Sequence, residues 1–295
     1  MRYPDFLIIG VMKCGTTTLF RDLELSDRIF MPRDKEPSSL ALPRIRTAAG
    51  ARRYTSLFAR ATSDQLCGEA STAYTKRPTY EGVPQTCREL LPEHAKFICM
   101  LRHPIKRIIS HHNHEHTWDR MGPSIDEAVR EHPELIAYSS YAMQLQPWLE
   151  TFGDDRVMVV KFEDYIADRH AQADRLCEFL GVPAVSHLIN LDAVHNSADT
   201  RSIPAPLATK FRNGPIYQRF VKHLLPYAAV NKMRHLWARP KPPRPAPPTQ
   251  DTVDYLIEQL QPDIDRLPEL LGPTAPTWDL EAAPTSGPAA AATTA

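Results

Sequence analysis

Short apolar runs broken by turn residues recur along the chain, and three of them share one layout. Phe6-Leu7-Ile8-Ile9 runs into Gly10 and a loop closed by Gly15, and a helical pattern begins near Thr16. Phe97-Ile98-Cys99-Met100-Leu101 leads into Arg102-His103-Pro104, where Pro104 suits the first position of a helix. Val157-Met158-Val159-Val160 precedes Lys161-Phe162-Glu163-Asp164, and a helix over about 167–180 stops at Gly181. Gly68-Glu69-Ala70-Ser71 reads as the end of a further strand. Continuous apolar strands alternating with helices predict an α/β fold, with a parallel sheet covered on both faces.

Further helices are expected over 124–131 and 139–152. The span 208–238 is helical in pattern but interrupted by Gly214-Pro215 and Pro226. Residues 239–248, RPKPPRPAPP, read as a polyproline-type linker. A last helix over 252–271 carries Val253, Leu256, Ile257, Leu260, Ile264 and Leu267 at helical spacing, so it should pack back on the domain. The low-complexity end, 282–295, is expected to be disordered.

Composition narrows the class. At 295 residues with 42% apolar and 24% charged positions, the chain can bury a full core as an ordinary soluble protein. No apolar run approaches the roughly 18 residues of a membrane span, and the first residues lack the layout of a signal peptide. Five cysteines without CxxC spacing point to reduced thiols and a cytoplasmic location, and disfavour a zinc site built from cysteine alone. The net charge of zero hides an asymmetry. Residues 201–250 hold ten Lys and Arg and no Asp or Glu. That stretch faces anions, or forms a solvated basic face.

The candidate chemistry begins at GVMKCGTTTL (Gly10–Leu19), which departs from the G-x-x-x-x-G-K-[ST] loop of ATP and GTP enzymes. Thr16, not lysine, follows the second glycine, and the loop's lysine is Lys13. A strand end, two glycines and a helix start still make an anion site, from Lys13, Cys14, Gly15, Thr16, Thr17 and Thr18. After the second strand, Arg102 and Ser110 form a second receiver for a phosphate monoester on the same carboxyl edge of the sheet. The ligand should carry two separated anionic groups. No apolar strand ends in an aspartate suited to magnesium, which counts against a kinase or NTPase and suits a metal-free transfer.

The ordered set KxGTT and R-x-P-x(5)-S resembles the sulfotransferases that use 3′-phosphoadenosine 5′-phosphosulfate (PAPS). Lys35-Glu36-Pro37, GEASTAY (68–74), VVKFEDY (159–165), FLGV (179–182) and LPELLG…W (267–278) extend the resemblance over roughly residues 5–280. It implies one domain over 1–280 with a P-loop-NTPase-like, three-layer α/β/α fold and a helical C-terminal extension. It also implies PAPS as donor, adenosine 3′,5′-bisphosphate as product, and no metal. Lys13 would stabilise the leaving phosphate. Glu36 would be the general base, as in the carbohydrate-type branch, in place of the histidine of the cytosolic branch; a surface carboxylate paired with Lys35 or Arg33 is the plainer reading. Glu69 would line the acceptor pocket or cap local backbone; Ala70 stands where some relatives place a lysine for an anionic sugar. Arg201 is a third candidate for the 3′-phosphate. The basic segment 201–250 would form an acceptor-side lid, or, through 208–238, a peripheral membrane contact.

The expected acceptor is a small molecule, lipid or glycan with a hydroxyl or, less favoured, an amine; nucleic acid is not expected. A P-loop kinase or NTPase and an inactive anion-binding scaffold are the alternatives. The run His111-His112-Asn113-His114-Glu115-His116 invites a metal, but no shell is completed by spacing, and solvent-exposed or substrate-lining histidines are expected.

Overall fold

A computed structural model describes residues 2–191, 203–204, 238–239 and 242–285. Five parallel strands form its central sheet: β1 (Phe6–Gly10), β2 (Ile29–Phe30), β3 (Leu66–Ala70), β4 (Lys96–Leu101) and β5 (Val157–Lys161). Their spatial order is β2-β3-β1-β4-β5. β1 is buried at all five positions, as its unbroken apolar run requires of a strand covered on both faces. The chain leaves β1 toward β2 and β3 on one side and returns to β4 and β5 on the other. The crevice at the carboxyl end of β1 is therefore the topological switch point, where ligands of such sheets bind.

Helices cover the sheet. α1 (Thr16–Leu23) packs on the C-terminal helix of the pair α8 (Phe162–Ala167) and α9 (Arg169–Leu180). α3 (Val83–Leu90) packs on α7 (Tyr141–Phe152), which lays Trp148 and Phe152 on the Phe97 ring of β4, with centroids 5.0 and 4.1 Å apart. α2 (Ala48–Thr55), between β2 and β3, has no strong apolar stripe and escapes a reading of periodicity. α4 (Pro104–Thr117), α5 (Ile125–Glu131) and α6 (Glu134–Ala137) build a second apolar cluster with α10 (Gln250–Ile264). Val253, Leu256 and Leu260 are fully buried there, each contributing about 1.5–3 kcal/mol of burial.

Two expected helices are divided. The span 252–271 breaks between α10 and α11 (Leu267–Leu271), since Pro268 has no N–H for the carbonyl of Ile264 and instead suits the first turn of a new helix. The helix over 167–180 begins at Arg169, where Asp168 caps it by accepting from Ala171 N–H at 3.1 Å, while α8 precedes it. Buried charge ties the layers together. Asp22 of α1 takes two hydrogen bonds from Arg169 of α9, at 2.6 and 2.8 Å, and one from Tyr165 Oη at 2.5 Å. The expected lid and membrane contact at 208–238, and the tail over 286–295, lie outside the described residues.

Candidate active site

Gly10 and Gly15 shape the loop after β1 for different reasons. At Gly10 (φ 147°) a Cβ would stand 1.9 Å from Thr75 Oγ1, the hydroxyl that donates to Ile9 O at 3.0 Å. At Gly15 (φ 89°) it would stand 2.6 Å from the Phe162 ring. Lys13 also holds a left-handed backbone, φ 71°, at a cost of about 1–2 kcal/mol for a residue with a Cβ. The Thr18 N–H donates to Gly15 O at 2.9 Å and is occupied. Thr16 and Thr17, first in α1, have no intrahelical acceptor for their N–H groups, which with the helix dipole are the kind of donor set that attracts an anion. The Cys14 side chain is buried 3.9 Å from Tyr141 Oη, burial pushes its thiol up to about 12, and its N–H donates to Val11 O at 3.2 Å, so neither its thiol nor its N–H is offered to a ligand.

Arg102 leaves β4 beside this loop. Its Nη1 donates to Lys13 O at 3.4 Å and its guanidinium lies 5.0 Å from the centroid of Phe162. The ring that crowds Gly15 thus also supports Arg102. Tyr141 Oη donates to Arg102 O at 2.6 Å. Glu163 holds the next residue, accepting from His103 N–H at 2.9 Å and from Trp278 Nε1 at 3.1 Å, while His103 Nε2 donates to Asp279 O at 2.9 Å. The C-terminal segment therefore braces the turn that carries Arg102. Ser110 is half-buried on α4, and its hydroxyl has no partner among the described residues. Arg201 lies outside them.

Glu36 sits across the same edge. Its backbone is left-handed (φ 62°), and its N–H donates to Ala70 O at 3.0 Å. Oε2 accepts from Thr72 N–H at 2.7 Å and Thr72 Oγ1 at 3.1 Å, and Oε1 from Lys35 Nζ at 2.5 Å. The side chain stays 38% exposed, enough to meet a second molecule. The ion pair with Lys35, the plainer reading of this carboxylate, is thus present. Among the described residues, positive φ at a non-glycine occurs at Lys13, Glu36, Ser38 and Asp119, and three of these four flank this crevice. Such conformations concentrate where geometry serves a ligand.

Glu69 is wholly buried beneath this loop. Tyr54 Oη and Tyr74 Oη donate to Oε2 at 3.0 and 2.6 Å, and Ser71 Oγ to Oε1 at 2.5 Å. Burial outweighs these hydroxyls and lifts its carboxyl to about 7. Ser71 Oγ also accepts from Ser38 N–H at 2.9 Å, so Glu69 underpins the strand of loop bearing Glu36. An acceptor contact at Glu69 does not fit this placement.

The histidine run needs a similar correction. His111 and His112 are core residues, not exposed or substrate-lining ones: burial, then Arg107, lowers His111 to about 2, and His112 Nε2 donates to Gly122 O at 2.9 Å. Among the described residues no group of three or more His, Cys, Asp and Glu could hold a metal ion. Sequence reasoning passed over Thr72, Phe162 and Tyr141, although GEASTAY and VVKFEDY contain the first two, and over Lys76, which follows the Thr72–Thr75 turn.

The profile of the sulfotransferase family matches residues 36–186, just over half the chain. The chain belongs to the sulfotransferase family. The matched span contains Glu36, Arg102 and Ser110. Human heparan sulfate glucosamine 3-O-sulfotransferase 6 is 27% identical over 192 residues, which are 62% of this chain and 54% of that protein. The match thus spans about half the length of that relative. The crystal structure of a sulfotransferase from Alicyclobacillus acidocaldarius superposes with a TM-score of 0.62 at 24% identity, covering 92% of this chain and 96% of that one. That likeness extends the family fold beyond the matched span. No helix among the described residues of this sulfotransferase is long and apolar enough to cross a membrane, and its five cysteines are buried free thiols.

Proposed function

We propose that this sulfotransferase moves the sulfuryl group of PAPS to an acceptor hydroxyl, with an amine as the less favoured nucleophile. The observation that supports the proposal is the hydrogen bond from Arg102 Nη1 to Lys13 O at 3.4 Å, which joins the arginine after β4 to the glycine loop at the switch point. The groups gathered there are donors: Lys13, the N–H groups and hydroxyls of Thr16 and Thr17, the Thr18 hydroxyl, the Arg102 guanidinium and the Ser110 hydroxyl. Such a donor set suits a ligand with separated 5′ and 3′ anionic groups.

PAPS supplies a sulfuryl group already joined to a good leaving phosphate. The acceptor oxygen forms its bond to sulfur as the bond to the bridging phosphate oxygen breaks. Lys13 donates toward that oxygen and offsets its developing charge. Glu36 takes the acceptor proton on its carboxylate, whose Oε2 is held by Thr72 and whose Oε1 is held by Lys35. The acceptor class, whether small molecule, lipid or glycan, belongs to this proposal, as does use of the donor without a metal.

Calorimetry with adenosine 3′,5′-bisphosphate, set against ATP with magnesium, tests the donor. Binding of the bisphosphate in chelator is expected; binding of ATP only, and only with magnesium, overturns the proposal in favour of a phosphotransferase. Glu36→Gln should keep bisphosphate affinity and lower transfer by a factor on the order of 10²–10⁴. Lys13→Ala should lower turnover in a folded protein, and near-normal turnover would remove Lys13 from the chemistry.

A further inference from the structure

Lys76 stands one short turn beyond the residue that holds the base. The 3-10 turn Thr72–Thr75 begins at Thr72, the donor to Glu36, and Lys76 follows it directly. Its side chain is largely withdrawn from water, and burial lowers the pKa of its ammonium. Nζ lies 5.7 Å from the centroid of the Tyr138 ring, and among the described residues it has no hydrogen-bond acceptor and no carboxylate within 4.0 Å. An ammonium taken out of water is costly unless it is paired.

The carboxylates nearest to it are already engaged. Glu36 is matched by Lys35 at 2.5 Å. Glu115 is matched by Arg120 at 3.1 Å, with His111 Nε2 3.7 Å away. Behind them lies Arg107, fully buried and bonded only to neutral groups: Ser139 Oγ at 2.5 Å, Leu135 O at 2.6 Å and His111 Nδ1 at 3.4 Å. Neutral His111 adds no negative charge. The wall of the crevice beside Glu36 therefore carries a surplus of positive charge, and Lys76 is its unengaged end.

We propose that Lys76 receives an oxyanion borne by the acceptor (a carboxylate, sulfate or phosphate ester) while Glu36 takes the proton of a hydroxyl on the same molecule. This assignment of specificity rests on the reading of Glu36 as the base. It deepens that reading by naming the acceptor class: hydroxylated compounds that are already acidic.

The test reads Lys76 directly. Protein carrying lysine labelled with ¹³C at Cε is saturated with adenosine 3′,5′-bisphosphate, and the Lys76 resonance is assigned by its loss in Lys76→Met. Sodium sulfate is then titrated against sodium chloride at equal ionic strength. A saturable shift with sulfate and not with chloride, with the Lys76 titration midpoint moving upward, is expected. Absence of a sulfate response overturns the proposal. So does a shift produced by the bisphosphate that abolishes the sulfate response, because Lys76 would then serve the donor.

In a second arm, transfer of radiolabelled sulfate to methyl β-D-glucuronide is compared with transfer to methyl β-D-glucoside. The acidic sugar should be favoured about tenfold in kcat/KM, Lys76→Met should bring the pair within about twofold, and Lys76→Arg should restore the preference. A preference that survives in Lys76→Met overturns the proposal; if neither sugar reacts, the resonance titration decides. Failure of the bisphosphate to bind sinks the donor assignment alone, and the sulfate titration is then read on the unliganded protein.

Discussion

Replacing Glu69 with glutamine should flatten part of the dependence of stability on pH. In the folded protein this carboxyl is wholly buried and lifted from 4.5 to about 7, burial prevailing over the hydroxyls of Ser71, Tyr74 and Tyr54. Between these values the native state holds a proton that the unfolded chain has lost. The native state thus binds more protons, and stability must fall as pH rises through the window. At about 1.4 kcal/mol per unit the loss comes to about 3 kcal/mol, complete above pH 7 and absent below about 4.5. Glutamine keeps the shape and cannot titrate.

Urea unfolding of both proteins from pH 4.5 to 8 isolates this contribution, because every other titrating group cancels in the difference. The stability of the native protein minus that of Glu69→Gln should decline by about 3 kcal/mol across the series. Parallel profiles, or a difference that grows with pH, would refute the assignment of a protonated Glu69 beneath the Glu36 loop.

Asp22→Asn leaves the Arg169 guanidinium without its buried carboxylate and should cost about 3–5 kcal/mol, read as a lowered midpoint in calorimetry. An unchanged midpoint would mean that the pair does not join α1 to α9. Gly15→Ala drives a Cβ to 2.6 Å from the Phe162 ring in a left-handed residue. It should weaken bisphosphate binding, with Phe162→Leu in the same chain partly restoring it; wild-type affinity in Gly15→Ala would refute the close contact.

The sheet was legible where strands are buried on both faces, since β1, β4 and β5 then read as unbroken apolar runs. β2 is two residues long and too short to carry a pattern. Lys13, Glu36, Arg102 and Ser110 were singled out through motifs, in which backbone geometry and side-chain chemistry repeat together. Arg107, His111 and His112 were not, because a polar side chain inside a helix gives no local sign of being enclosed; its partners come from Leu135, Ser139 and Gly122, remote in the chain. Glu69 shows the same limit. GEASTAY marks the place, but only the fold brings Tyr54 to it and turns a candidate contact into a support.

The Phe162 ring lies against Gly15 and under Arg102, and on the proposed donor assignment it serves as a spacer of fixed width between the two anion receivers. A spacer measures separation rather than total charge. Nucleotides with contiguous phosphates would crowd one end and leave the other empty, however many charges they carry, whereas a ligand charged at both ends of one ribose would span it. On the proposed donor assignment, changing the width of residue 162 should retune discrimination among adenine nucleotides without altering a single charged group.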